Sequence, residues 1–202
     1  MDATKIRLSA EEAALIMNAD IILTKNRILE KVKAVLSLIQ EDQQLYLSTN
    51  SLLPDLVRII PPKISKGENY NGLPYLVLDH PRYFDKEDMY AIRTMFWWGN
   101  FFSSTLLLSG EFKILLQQRF INSYETLKQD GYYLCINADP WQHHFESGNF
   151  EKISSLDKTE WESTIRSHPF IKLSKQIPLT QWENVRENVL QIFRQYLEIA
   201  GD

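Results

Sequence analysis

Apolar and polar positions alternate most clearly over residues 89–108, MYAIRTMFWWGNFFSSTLLL, where two runs rich in aromatic and β-branched side chains flank Gly99-Asn100. Both residues of that pair tolerate the positive φ of a two-residue turn, so the stretch reads as a β-hairpin. A two-residue turn fixes the register. It sets Trp98 against Phe101, Phe96 against Ser103, Thr94 against Thr105 and Ile92 against Leu107 on one face. The other face then carries Trp97 with Phe102, Met95 with Ser104 and Arg93 with Leu106. Four large rings beside the turn are too much apolar area to leave in water. The hairpin is therefore expected at the middle of a sheet, with helices close over the Ile92/Phe96/Trp98 face and a looser cover over the Arg93 face.

The rest of the pattern supplies the elements around it. Ser9 and Glu12 form a capping box that opens a short helix to about Met17, and Asn18 and Asp20 mark a break. Residues 21–44 read as the longest helix of the N-terminal half, with Ile28, Leu29, Val32, Val35, Leu36 and Ile39 as its apolar stripe. Between 48 and 72, Pro54, Pro61, Pro62, Gly67 and Gly72 interrupt any regular element. Residues 63–72 read as an exposed loop, long enough to be a candidate for function. Residues 74–81 alternate as a strand that Pro81 ends, and 82–88 form a charged loop. A helix follows Ser109-Gly110, with Phe112, Leu115, Leu116, Phe120, Tyr124 and Leu127 on one face and Gly131 at its end.

Strands are expected at 132–136 and 170–177, separated by a turn-rich stretch and a short helix over 157–166. A second capping box, Thr180 to Glu183, opens the last helix, which presents Trp182, Val185, Val189, Ile192, Phe193 and Tyr196 on one side. The fold class that follows is α+β. It comprises an antiparallel or mixed sheet of about five strands built around the central hairpin, packed with N-terminal, middle and C-terminal helices in one domain over 1–202.

Composition narrows the setting. A single cysteine, Cys135, leaves no intramolecular disulfide and fits a reducing compartment. Lys and Arg number 22 against 26 Asp and Glu, a net charge of -4 that speaks against a broad nucleic-acid surface. No window approaches the ~18 apolar residues of a membrane span, and the N-terminal stretch has no basic segment leading into an apolar one. The expectation is a cytoplasmic protein.

Candidate chemistry is sparse. GxSxG elbows and glycine-rich phosphate loops are absent. His80, His143 and His144, with Asp79 and Asp139, are the residues of metal-ligand type. His143 and His144 are adjacent and lack helical spacing, so no metal and no cofactor are expected; were a metal bound, those three histidines would hold it. Cys135 lies within a strand and reads as a small buried hydrophobe.

Arg93, at the centre of a sheet strand, has two readings. Its guanidinium reaches solvent or a carboxylate such as Asp79, or it recognises an anion at the floor of a pocket. Such a pocket would be walled by Trp97 and Phe102, with Met95 on the same face and Tyr75 and Asp79 on the strand beside it. The leading expectation is a binding module for a small anionic or aromatic ligand, or for a protein. The alternatives are a small metal-dependent or histidine-using hydrolase, and a homodimeric interaction protein assembled through the long N-terminal helix.

Overall fold

The computed structural model describes residues 6–50 and 53–201. Residues 1–5, part of the stretch read against a leader, lie outside it, as do residues 51, 52 and 202. The elements in chain order are α1 (Ala10–Ile16), α2 (Ala19–Thr49), α3 (Asp55–Arg58), β1 (Lys63–Tyr70), β2 (Leu73–Phe84), β3 (Met89–Trp97) and β4 (Phe101–Ser109). There follow α4 (Gly110–Asn122), α5 (Tyr124–Gln129), β5 (Tyr133–Cys135), β6 (Phe150–Lys152), α6 (Lys158–Ser167), β7 (Phe170–Pro178) and α7 (Val185–Ala200). The strands form one sheet in the order β1-β2-β3-β4-β7-β5-β6, every pairing antiparallel. The α+β class stands, and the central hairpin is the middle of the sheet. No helix among the described residues is long and apolar enough to cross a membrane.

Seven strands replace the expected five, and the two extra ones have physical reasons. Residues 63–70 are a strand, not a loop. As the sheet edge, β1 carries polar residues on both sides and lacks the alternation of a half-buried strand. Its Gly67 sits opposite Tyr75, and a Cβ there would lie 2.2 Å from the tyrosine ring. Glycine is therefore what lets the ring lie flat on the edge strand. At three residues, β6 is too short to leave a period. Pro81 does not end its strand either. β2 runs on to Phe84, with the register shift between Asp79 and Arg82 placing a residue without an N–H where the ladder is already interrupted.

The hairpin register differs from expectation by one residue. Trp97 faces Phe101, Phe96 faces Phe102 and Arg93 faces Thr105, so the turn holds three residues, 98–100. A two-residue turn of the expected kind needs positive φ at both positions. Only Gly99 has it, at 72°. The Trp98 amide instead donates to Pro74 O at 3.0 Å, and its ring packs edge-on against Phe96. Because strand side chains alternate, this one-residue slip exchanges the faces of β4.

Helices cover one face. Leu36 and Ile39 of α2, Phe120 of α4, and Phe193 and Tyr196 of α7 bury against Ile92, Phe96, Phe102 and Leu106. The expected stripe of α2 is the buried one: Leu29, Val32, Leu36 and Ile39 are all inside. The middle helix is broken at Ser123 into α4 and α5. The capping box at Thr180 does not form; residues 179–184 make a 3-10 turn without a side-chain cap, and α7 starts only at Val185. The apolar face expected of the last helix is nonetheless the buried face of α7.

Candidate functional site

The opposite face of the sheet carries the charges. Asp79 on β2 and Arg93 on β3 occupy directly paired positions. Arg93 Nε donates to Asp79 Oδ1 at 2.7 Å and its Nη2 to Oδ2 at 2.9 Å. Both side chains are largely buried, at 20% and 8% exposure. A bidentate pair satisfies the fork geometry of the guanidinium and offsets much of the desolvation of both charges. The third guanidinium nitrogen meets His143 Nε2 at 3.1 Å. A guanidinium only donates, so Nε2 accepts and the imidazole there is neutral. Burial pushes the His143 pKa well below its ordinary value, and Lys172 and Arg93 push it further.

Two strands further along, Lys172 on β7 enters the same region. It is 1% exposed. Its ammonium donates to the Gln142 carbonyl and lies 4.8 Å from the Phe150 ring centroid. No carboxylate forms an ion pair with it among the described residues. Desolvation pulls its pKa down to about 8, with Arg93 adding to the fall while Cys135 and Asp139 oppose it.

The cover over these groups is the segment 136–149, and local chemistry shapes it. Asn137 and Asp139 side chains each accept from the backbone amide two residues on, at 2.8 Å, making two successive Asx turns. The bond from the Trp141 amide, with one from Gln142, holds the Asp139 pKa below its usual value. The Tyr70 hydroxyl, from the end of β1, accepts from the amides of His143 at 2.5 Å and His144 at 3.0 Å. Trp141 lies at the top, 48% exposed, with Arg93 Cζ 5.8 Å from its ring. Beneath it, a void of about 10 Å³ is lined by Arg93, Thr105, Leu107, Trp141, His143 and Lys172. That is room for roughly one water molecule.

The expected site residues divide. Arg93, Met95 and Trp97 share this face with Asp79, as expected. Met95 and Trp97 are buried with Val77 and are covered by Tyr70, Tyr75 and Phe101. Trp97 Nε1 donates to Tyr70 O at 3.1 Å. The looser cover expected here is confined to the Arg93 end. Phe102 is not part of the wall: the register shift turns it to the helix side, where it is fully buried, and Phe101 takes its place against Trp97.

The histidines do not converge. His80 points to the helix side and stacks on Phe193, whereas His143 and His144 belong to the cover. His144 Nδ1 is 3.8 Å from Glu146, beyond hydrogen-bond range. Among the described residues, no three His, Cys, Asp or Glu side chains gather as a metal-holding group. Cys135 is buried in β5, and burial raises its thiol pKa. Sequence reasoning missed Lys172, Tyr70 and Trp141. The one available signal was a lysine between Ile171 and Leu173 in an expected strand.

No family model, no curated protein and no solved structure matches this chain.

Proposed function

We propose that this protein is a binding module for a small ligand bearing an oxyanion, carboxylate or inorganic, received at Lys172 and Arg93 beneath the 136–149 segment. The observation that carries this reading is the setting of Lys172. A buried ammonium held only by a carbonyl and a ring face is costly, and a methionine would fill the same space without that cost. Arg93 adds a second cation, and Asp79 neutralises one of the two. An anion is what completes this balance. The 10 Å³ void is the closed form, so the ligand displaces Pro140 and Trp141 on binding, and the Trp141 ring then closes over it.

Thermal shift at matched ionic strength tests this with sulfate, phosphate, acetate and benzoate, using chloride as the reference. At least one oxyanion should raise the melting temperature above the chloride reference, and Lys172→Met should abolish that rise. A wild-type protein indifferent to all four, or a Lys172→Met variant that responds equally, would overturn the reading.

A further inference from the structure

The void beneath Trp141 is lined unevenly, and sheet register sets the layout. Ala91, Leu107 and Lys172 form one row across β3, β4 and β7, and Arg93, Thr105 and Ser174 form the next. By strand alternation both rows share the face that the 136–149 segment covers. The polar lining is Lys172, Arg93, His143 and Thr105, and the Thr105 hydroxyl is already engaged with that of Ser174 at 2.7 Å. All the rest is apolar: Ala91 and Leu107 as floor, Phe84 as wall, Pro140 and Trp141 as roof.

No carboxylate lines the void among the described residues. Asp79 gives both oxygens to Arg93, and Asp139 gives its two to the Trp141 amide and the Gln142 side chain. Asp85 is exposed at the far end of β2, three strands from Lys172 in the sheet. Cation and apolar floor thus lie end to end. Neighbouring strands are about 4.8 Å apart, so the row from Lys172 over Leu107 to Ala91 spans about 10 Å. An inorganic anion or acetate would fill only its inner end. At the outer end Phe84 and Trp141 stay 39% and 48% exposed, their ring centroids 6.0 Å apart. Such a pair at the rim leaves apolar surface that the body of a ligand would take out of water.

We infer that the ligand is a flat one-ring carboxylate of the benzoate class, its carboxylate at Lys172 and its ring on Ala91 and Leu107 against Phe84. This rests on the oxyanion reading above and adds the body that carries the anion. The closed roof favours a flat body. An aromatic ring lifts Trp141 by roughly one contact distance, about 3.5–4 Å, and a chair-shaped ring lifts it further. Phe84 and Trp141 can then meet the ligand ring edge-on or offset, the arrangements that aromatic pairs prefer.

Titrations of the full chain at pH 7 and constant ionic strength test this, with benzoate, cyclohexanecarboxylate, acetate and sulfate as probes. The amide and indole N–H resonances of nitrogen-labelled protein report binding, with Trp141 assigned through Trp141→Phe. Benzoate should bind at least tenfold more tightly than acetate or sulfate, and about fivefold more tightly than cyclohexanecarboxylate. Phe84→Ala should cut its preference over acetate to about threefold or less. Acetate or sulfate binding as tightly as benzoate would overturn the ring and leave the oxyanion reading standing. So would equal affinity for cyclohexanecarboxylate, or a Phe84→Ala protein that keeps the full preference. Resonances indifferent to all four probes would overturn the oxyanion reading and this inference with it.

Discussion

Asp79 and Arg93 stand directly opposite each other on adjacent central strands and are joined by two parallel hydrogen bonds of 2.7 and 2.9 Å. Antiparallel register alone brings their Cβ atoms close, so the pair is set by strand geometry rather than by a loop. Removing one partner leaves the other charge buried. Asp79→Asn is expected to cost about 3 kcal/mol in chemical denaturation, whereas Asp79→Leu with Arg93→Met should return to within about 1 kcal/mol of wild type. Additive losses in the double variant would refute this coupling.

His80 makes acid stability predictable. Both ring nitrogens are buried without a partner among the described residues, and burial lowers its pKa to about 4. The unfolded chain takes up this proton near pH 6.5 and the folded one only near 4, so stability is full above about 6.5 and falls between about 6.5 and 4. The loss from this residue is on the order of 3 kcal/mol. His80→Phe preserves the stacking on Phe193 and carries no proton. Its denaturation free energy should therefore lose less than that of wild type over this pH interval. Equal pH profiles for the two proteins would show that His80 is not the sensor.

The 136–149 cover is fastened more by side chains than by backbone pairing. Its ladder-like ties are the Ile136 amide to Asn149 O and the Asn149 amide to Glu146 O, and the Tyr70 hydroxyl holds its middle. Segments of this kind open below the global unfolding free energy. Hydrogen exchange should find the amides of 137–147 far less protected than those of β3 and β4. Tyr70→Phe should speed their exchange while leaving the central strands unchanged. Protection equal to that of the hairpin would mean that the cover does not open by itself.

Much of this fold was written in the chain, and the failures have causes. Helical stripes such as Leu29 to Ile39 repeat over many turns and are hard to misread. The hairpin was legible as an element but not in register, because one positive φ at Gly99 rather than two lengthened the turn by a residue. That single slip moved Phe102 from the expected pocket wall into the core. The edge strand β1 was hidden by its own polar sequence. The Arg93–Asp79 contact was among the expected readings because both residues lie on confidently read strands. Lys172 and Tyr70 escaped because each meets the cover across a long stretch of sequence, 30 residues for Lys172 and 73 for Tyr70, and such contacts leave no local period.

The central claim is that Lys172 is a buried cation waiting for an anion. Its titration, followed by NMR on ε-carbon-labelled lysine and assigned with Lys172→Met, tests this most directly. In chloride alone the midpoint should lie near 8, reflecting desolvation. Sulfate or benzoate at saturating concentration should move it upward, because an adjacent negative charge favours the ammonium. A midpoint at the ordinary lysine value, or one near 8 that neither anion shifts, would contradict the account.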